Sequence, residues 1–506
     1  MPDEKVGAVL VVGGGIAGIQ ASLDLAEMGY KVYLLDKAPA IGGTMSQLDK
    51  TFPTNDCATC ILAPKLVEAG RHPNITLITN AEVEGVEGEA GNFTVRVRLK
   101  PRYIDPEKCT GCGLCAEKCP VEAIDEFNEG LGLRAAIHIR YPQAVPRVFM
   151  IDREKCIGCG TCAEICRAGA IKYDDQERVV ELKVGAIILA PGFEEFRPKA
   201  LKELGYGRYP NVVTSIEFER ILSASGPFGG LLVRPSDGEI PRRIAFIQCV
   251  GSRDERLGVP YCSSVCCMYS IKQAIIAREH APIDVKCTIF YMDMRTYGKG
   301  FELYRERAEK EYGVRFVRCR VPHIYEDPST HNLIVRYVDE SGAVREEEFD
   351  LVVLAVGFRP PEGFKELAEK VGIELDEFGF CKIDPFRPLE TSRPGVFVCG
   401  AFAGPKDIPD SVAEASGAAA KAASVIASER GKLVAKKEYP PEIEVRPDEE
   451  PRIGVFICHC GVNIGGIVNV AEVVEYAKTL PGVVYAEDNL YTCSQDTQER
   501  IKKIIR

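Results

Sequence analysis

The chain alternates uninterrupted apolar runs with glycine turns and amphipathic stretches. In VGAVLVVGGGIAGIQASLDLAEMGYKVYLLDK an apolar run predicts a buried strand, a turn carries Gly13, Gly15 and Gly18, and an amphipathic helix leads into a second strand ending at Asp36. VGAIILAPGFEEF (184–196) and DLVVLAVGFRP (350–360) each predict a buried strand that breaks at a glycine, and RRIAFIQ (242–248) predicts another strand. Strands of this kind interleaved with helices predict an α/β fold.

At 506 residues the chain is long enough for two to four domains. Its net charge of −11 leaves no basic stripe that would neutralise phosphates, so nucleic-acid binding is not expected. No apolar run approaches the roughly 20 residues of a membrane-spanning helix, and MPDEKVGAVLVVGGG has no basic n-region, so no transmembrane segment and a cytoplasmic location are expected. Twenty-one cysteines in such a chain point to thiolate-bound metal, because secreted disulfide frameworks are small and carry signal peptides.

The first glycine turn has the spacing that brings a pyrophosphate against backbone N–H groups at a helix N-terminus, with Asp36 placed for the ribose hydroxyls. Lys37, Gly43 and Gly192 are expected to complete this end of the cofactor site. CTGCGLCAEKCP and CIGCGTCAEICR repeat one C-x2-C-x2-C-x3-C spacing, that of a two-cluster ferredoxin. The fourth cysteine of each run ligates the other cluster in that arrangement. Cys109, Cys112, Cys115 and Cys166 would then hold one [4Fe–4S] cluster, and Cys156, Cys159, Cys162 and Cys119 the other. After RRIAFIQ a second glycine loop is missing, and Cys249, Cys262, Cys266 and Cys267 stand in its place, the right number for a third cluster.

The two strand-to-glycine crossings, with TSRPGVFVCGAFAGPKDIPDSVAEASGAAAKAASVIA, resemble the thioredoxin-reductase-like disulfide oxidoreductases. That resemblance implies a thioredoxin-reductase-like flavoprotein with two dinucleotide domains, and a closing FAD segment containing Gly400, Lys406, Asp407 and Ile408. Gly400-Ala401 departs from it, since the family usually has an Asp after the glycine to hold the ribityl chain.

GGGIAGIQ, FPTNDCATCILAPKLVEAGRHPNI, the ferredoxin repeat, QCVGSRDE, PYCSSVCCMYSIKQA and GPKDIPD together resemble the A subunits of heterodisulfide reductases, the HdrA-like iron–sulfur flavoproteins, over nearly the whole chain. The resemblance implies FAD beside a cluster on Cys249, Cys262, Cys266 and Cys267, with Lys272 near the flavin ring as a catalytic cation. It implies an oxidoreductase component of a hetero-oligomer, performing flavin-based electron bifurcation or confurcation in anaerobic metabolism. The expected partners are heterodisulfide reductase B- and C-like subunits, a hydrogenase or formate dehydrogenase that feeds in electrons, and ferredoxin. The competing readings are an NAD(P)H-dependent oxidoreductase like the small subunit of glutamate synthase, and a scaffold whose flavin is structural.

The expected domains are an FAD-binding part (1–103), an inserted ferredoxin domain (104–172), a continued FAD part (173–240), a degenerate NAD(P)-like domain with a cluster (241–358), a closing FAD part (359–430) and a charged linker (431–451). Residues 452–506 resemble the beginning of the family's N-terminal cluster domain and are expected to form a partial cluster domain with Cys458, Cys460 and Cys493. Cys57 and Cys60 in NDCATC could supply further ligands to a fourth cluster, form a redox disulfide, or be structural thiols.

Overall fold

The computed structural model describes residues 5–436, 441–442, 446 and 448–506. Part of the expected 431–451 linker lies outside the described residues. The strand Ala8–Val12 is buried at every position and sits at the centre of a five-stranded parallel sheet, in the order 396–398, 186–189, 8–12, 31–36, 75–79. Side chains covered on both faces explain the lack of alternation in its sequence. The Ile16–Glu27 helix packs against the Ile408–Val425 helix, whose buried Ala415, Ala418, Ala419 and Ala422 allow close approach. A three-stranded antiparallel meander (81–89, 92–99, 178–184) completes this unit.

A second parallel sheet repeats the plan, in the order 212–214, 351–356, 243–250, 286–291, 315–318, with its own antiparallel meander from 323 to 349. The Ser215–Leu222 and Cys266–His280 helices pack together and against this sheet. The edge strand Val212–Thr214 belongs here, paired with Val352–Leu354, and not to the FAD part expected to run to residue 240. Its three apolar residues fit either sheet, and the parallel pairing is what assigns them.

The inserted domain is built on two short helices, Leu114–Glu117 and Thr161–Ile165, packed on each other over Ile104, Ile137, Val148, Phe149 and Ile151. It docks on the first unit by Arg102, which donates to the Pro39 carbonyl at 2.9 Å, and by Gln47, which donates to the Phe127 carbonyl at 2.9 Å. The C-terminal segment forms a parallel strand pair (453–458 with 483–489) and two helices, Val470–Lys478 and Gln495–Ile505. It folds back on the rest: Arg71 donates to Gln498 at 3.0 Å and pairs with Glu499, and Arg147 of the insert pairs with Asp496 at 3.0 Å.

Candidate functional site

A cavity of about 1100 Å³ runs from the first glycine turn to the wall formed by the 215–222 and 266–280 helices. At its first end Gly13, with φ +109°, cannot carry a side chain, because a Cβ there would stand 2.1 Å from the Ala190 carbonyl oxygen. Gly18 lies behind the turn, where a Cβ would stand 1.8 Å from the Gly13 oxygen, so helix and strand meet at backbone distance. Asp36 ends its strand with the carboxylate accepting from the Gly14 N–H at 2.6 Å and the Ala38 N–H at 2.7 Å. Burial pushes its carboxyl up, and those two N–H groups oppose the shift. Gly15, Lys37, Gly43 and Gly192 line the same cavity.

Farther along, Gly400, Lys406, Asp407 and Ile408 also line it. The position that lacks the expected Asp is organised instead by Glu414. Its carboxylate accepts from the Gly400 N–H at 3.0 Å and from Lys406 Nζ at 2.5 and 2.6 Å. Lys406 is thereby fixed beside the start of the 408–425 helix, whose N-terminus favours negative charge. The glycine cradle, the buried acid and this cationic end together fit a dinucleotide such as FAD.

Lys272 stands in the far wall. It is 2% exposed and ion-paired with Glu219, so it is neither solvated nor free. Glu219 also accepts from Gln273 Nε2 at 2.6 Å and from the Asp49 N–H at 3.0 Å. Sequence reasoning passed over Glu219, Gln273, Asp49 and Glu195, all of which stand in or behind this wall. The available signal was a glutamate on an otherwise core-facing position of SIEFERIL.

Cys266 and Cys267 open the same 266–280 helix that carries Lys272. Cys249 reaches them from a strand whose pairing register shifts between Ile247 and Val250, and it holds a left-handed φ of +60°. A bulge and a strained residue at one point re-aim a side chain, and such features gather at functional sites. The Cys249 thiol is lowered to about 7, first by its hydrogen bond with Cys266 and further by Arg253. Cys267 is lowered by its hydrogen bond with Cys266, and Cys266 itself is raised. Cys262 lies on the loop before the helix, its sulfur accepting from the Ser264 N–H at 3.4 Å. Where the first unit has its open glycine turn, Gly251 is capped by Phe196, whose ring stands 2.1 Å from a Cβ built there.

In the insert, Cys119 lines one small cavity together with Cys156, Cys159 and Cys162, the crossed set that the repeat predicts. The Cys115 thiol is pushed up to about 12, chiefly by burial, with Cys109 and Cys112 close by. The Asp105 N–H donates to the Ala170 carbonyl at 2.8 Å, which draws the Cys109 loop to the segment after Cys166. Among the described residues no three Cys, His, Asp or Glu side chains converge on a single ion. Thiolates on the separate irons of a cubane stand farther apart than ligands of one ion, so these sets suit clusters better than zinc.

The C-terminal segment brings Cys458, Cys460 and Cys493 up to Cys57 and Cys60 at the start of the Ala58–Arg71 helix. The Cys60 thiol is pushed well up by its hydrogen bond with Cys57, by burial, and by neighbouring Cys493 and Cys460. Cys57 falls to about 7 through its hydrogen bond with Cys60, and Cys458 to about 5 through its hydrogen bond with Cys460. Cys460 is raised by the same pairing. Five sulfurs from two distant segments thus share one site.

The family described as 4Fe-4S binding domain matches residues 102–125 and 149–172, FAD dependent oxidoreductase matches 8–95, and pyridine nucleotide-disulphide oxidoreductase matches 277–419. The fold is accordingly the two-dinucleotide-domain oxidoreductase fold with ferredoxin motifs inserted, and FAD and [4Fe–4S] clusters are its cofactors. The second of the iron-sulfur A subunits of CoB–CoM heterodisulfide reductase in Methanopyrus kandleri is 57% identical over 83% of this chain and 64% of its own length. The A subunit of the H(2):CoB-CoM heterodisulfide,ferredoxin reductase of Methanothermobacter marburgensis is 51% identical over 83% and 64%. This chain therefore spans about 64% of the length of these two relatives. A protein of Archaeoglobus profundus named as similar to the heterodisulfide reductase A subunit is 44% identical over 89% of this chain and 69% of its own. With identity of this order along a shared arrangement of glycine turn, ferredoxin repeat and cysteine-headed helix, the chain belongs to the family of heterodisulfide reductase A subunits.

Proposed function

We propose that this chain is the FAD and iron–sulfur electron-transfer subunit of a heterodisulfide-reductase-like oxidoreductase, in which electron pairs from a two-electron donor are divided between ferredoxin and a disulfide-type acceptor. One observation carries the reading: the 266–280 helix begins with Cys266 and Cys267 and, one and a half turns on, places Lys272 in the wall of the flavin cavity. A cluster held by Cys249, Cys262, Cys266 and Cys267 would then sit beside the flavin. Bound FAD supplies the exchange between two-electron and one-electron chemistry. The protein's part is to hold the dinucleotide by Gly13, Gly15, Asp36 and Lys406, to present the Lys272–Glu219 pair to the ring, and to fix the clusters.

Three [4Fe–4S] clusters follow from these sets, two in the insert and one at Cys249. A fourth is shared by Cys57 or Cys60 with Cys458, Cys460 and Cys493. The relatives' names include H2, a heterodisulfide and ferredoxin, which supports B- and C-like subunits, a hydrogenase or formate dehydrogenase and ferredoxin as partners. A cytoplasmic location is part of the same proposal. Among the described residues no helix is long and apolar enough to cross a membrane. The test is anaerobic photoreduction of the flavin in reconstituted protein, followed by electron paramagnetic resonance. Signals of reduced clusters should rise as the flavin bleaches, and a flavin that reduces with the clusters silent would refute electron transfer between them.

A further inference from the structure

Glu195 lies on the two-residue strand Glu194–Glu195, one of the two crossings between the dinucleotide units, and it lines the cavity on the side of Ser215, Tyr269 and Lys272. Its Oε2 is buried and has no hydrogen-bond partner. Every carboxylate around it is satisfied. Glu129 accepts from Arg197 at 2.7 Å and from Gln47 at 3.0 Å. Glu217 accepts from the Thr214 N–H at 2.6 Å and from Tyr206 at 2.7 Å, while Glu219 is held by Lys272, Gln273 and Asp49. Arg197 is committed to Glu129, and Arg359 of the paired crossing strand lies over the Phe196 ring at 4.8 Å. Glu195 is the acid of this wall that no cation claims. An unpaired charge buried there would be costly, whereas a protonated carboxyl is not.

We propose that Glu195 is the proton-exchanging residue of the cavity, giving a proton to the flavin ring as an electron pair arrives and regaining it from water when the pair leaves. The carboxyl O–H bond breaks and one N–H bond forms on the ring. The two electrons come from the two-electron donor of the proposed function, and water restores the proton to the carboxylate. Burial pushes the Glu195 carboxyl up to about 8, with Glu129, Glu217 and Glu219 adding to the shift and Arg197 opposing it. The acid therefore enters the cycle protonated near neutral pH. This inference rests on the reading of the cavity as a flavin site.

The experiment is infrared difference spectroscopy of the reconstituted full chain during flavin photoreduction, with the carboxyl carbons of glutamate labelled with 13C. The wild type should lose a protonated-carboxyl C=O band on reduction, one that shifts with the glutamate label and in D2O. Glu195→Gln, binding flavin as the wild type does by visible absorbance, should lack that band. Glu195→Asp should show one that the glutamate label does not move. A labelled wild type with no carboxyl change on reduction, or Glu195→Gln with the band intact, overturns the proposal while leaving the flavin reading in place. A wild type that binds no flavin removes both.

Discussion

Lys272 and Glu219 form an ion pair in the cavity wall, with side chains 3% and 2% exposed. The resemblance called for a cation beside the flavin, and the structure supplies one already neutralised by a carboxylate. A pair buried this deeply costs several kcal/mol when only one partner is removed. Lys272→Met should destabilise the chain by about 3–5 kcal/mol, and Lys272→Met combined with Glu219→Leu should recover much of that. Urea unfolding read by far-UV circular dichroism decides it. A double variant no more stable than the single one would show that the pair's charges are not the issue.

Behind that pair, His280 Nε2 lies 3.8 Å from Asp49 Oδ2, both side chains nearly inaccessible. Burial, with Glu219 close by, raises Asp49 from 3.8 to about 7, and burial lowers His280 from 6.5 to about 4. Between about pH 4 and 6.5 the folded state keeps a proton on Asp49 and the unfolded state keeps one on His280, so the two contributions cancel and this pair adds no pH dependence. His280→Gln exposes the Asp49 contribution alone, and stability should then fall as pH rises from about 4 to 7. Asp49→Asn exposes the His280 contribution alone, and stability should fall as pH drops from about 6.5 to 4. Either slope reaches about 1.4 kcal/mol per pH unit, and denaturant midpoints of the iron-free chain across that range measure it.

Cys119 shares its cavity with Cys156, Cys159 and Cys162, although it stands in the first run of the repeat. Cys119→Ala should therefore disturb the cluster of the second run and leave that of Cys109, Cys112, Cys115 and Cys166 intact. Magnetic resonance spectra of single-run variants assign the signals, and loss of the first-run signal instead would reverse the ligand assignment.

The shared site at the C-terminal segment makes a separate prediction. Replacing Cys57 and Cys60 together by Ala should lower the iron content of the anaerobically reconstituted chain by one cluster. The Cys458, Cys460 and Cys493 signals should be lost with it. An unchanged iron content would mean that the C-terminal segment completes its cluster elsewhere.

With Phe196 packed on Gly251, backbone N–H groups in the second unit are closed to a pyrophosphate, and NADH and NADPH should not bleach the flavin at catalytic rates. Anaerobic stopped flow measures this directly. Rapid bleaching by either nucleotide would favour the glutamate synthase-like reading.

What the sequence determined by itself is what lies within one element or one short loop. The Gly13–Gly18 turn, the unalternating strands and the ferredoxin repeat are legible because their physics is local. A strand buried on both faces needs an apolar run, a pyrophosphate turn needs glycines at fixed offsets, and a cubane loop needs cysteines at fixed spacing. What only the tertiary structure decided depends on pairing between distant segments. The three residues Val212–Thr214 are equally apolar for either sheet, and hydrogen bonding to 352–354 alone places them in the second. Glu219 reads as one more polar residue of an amphipathic helix until the fold sets Lys272 against it. Cys57 and Cys60 carry no sign of the partners they meet some four hundred positions on, because closing such a loop is a property of the packed chain and not of either segment.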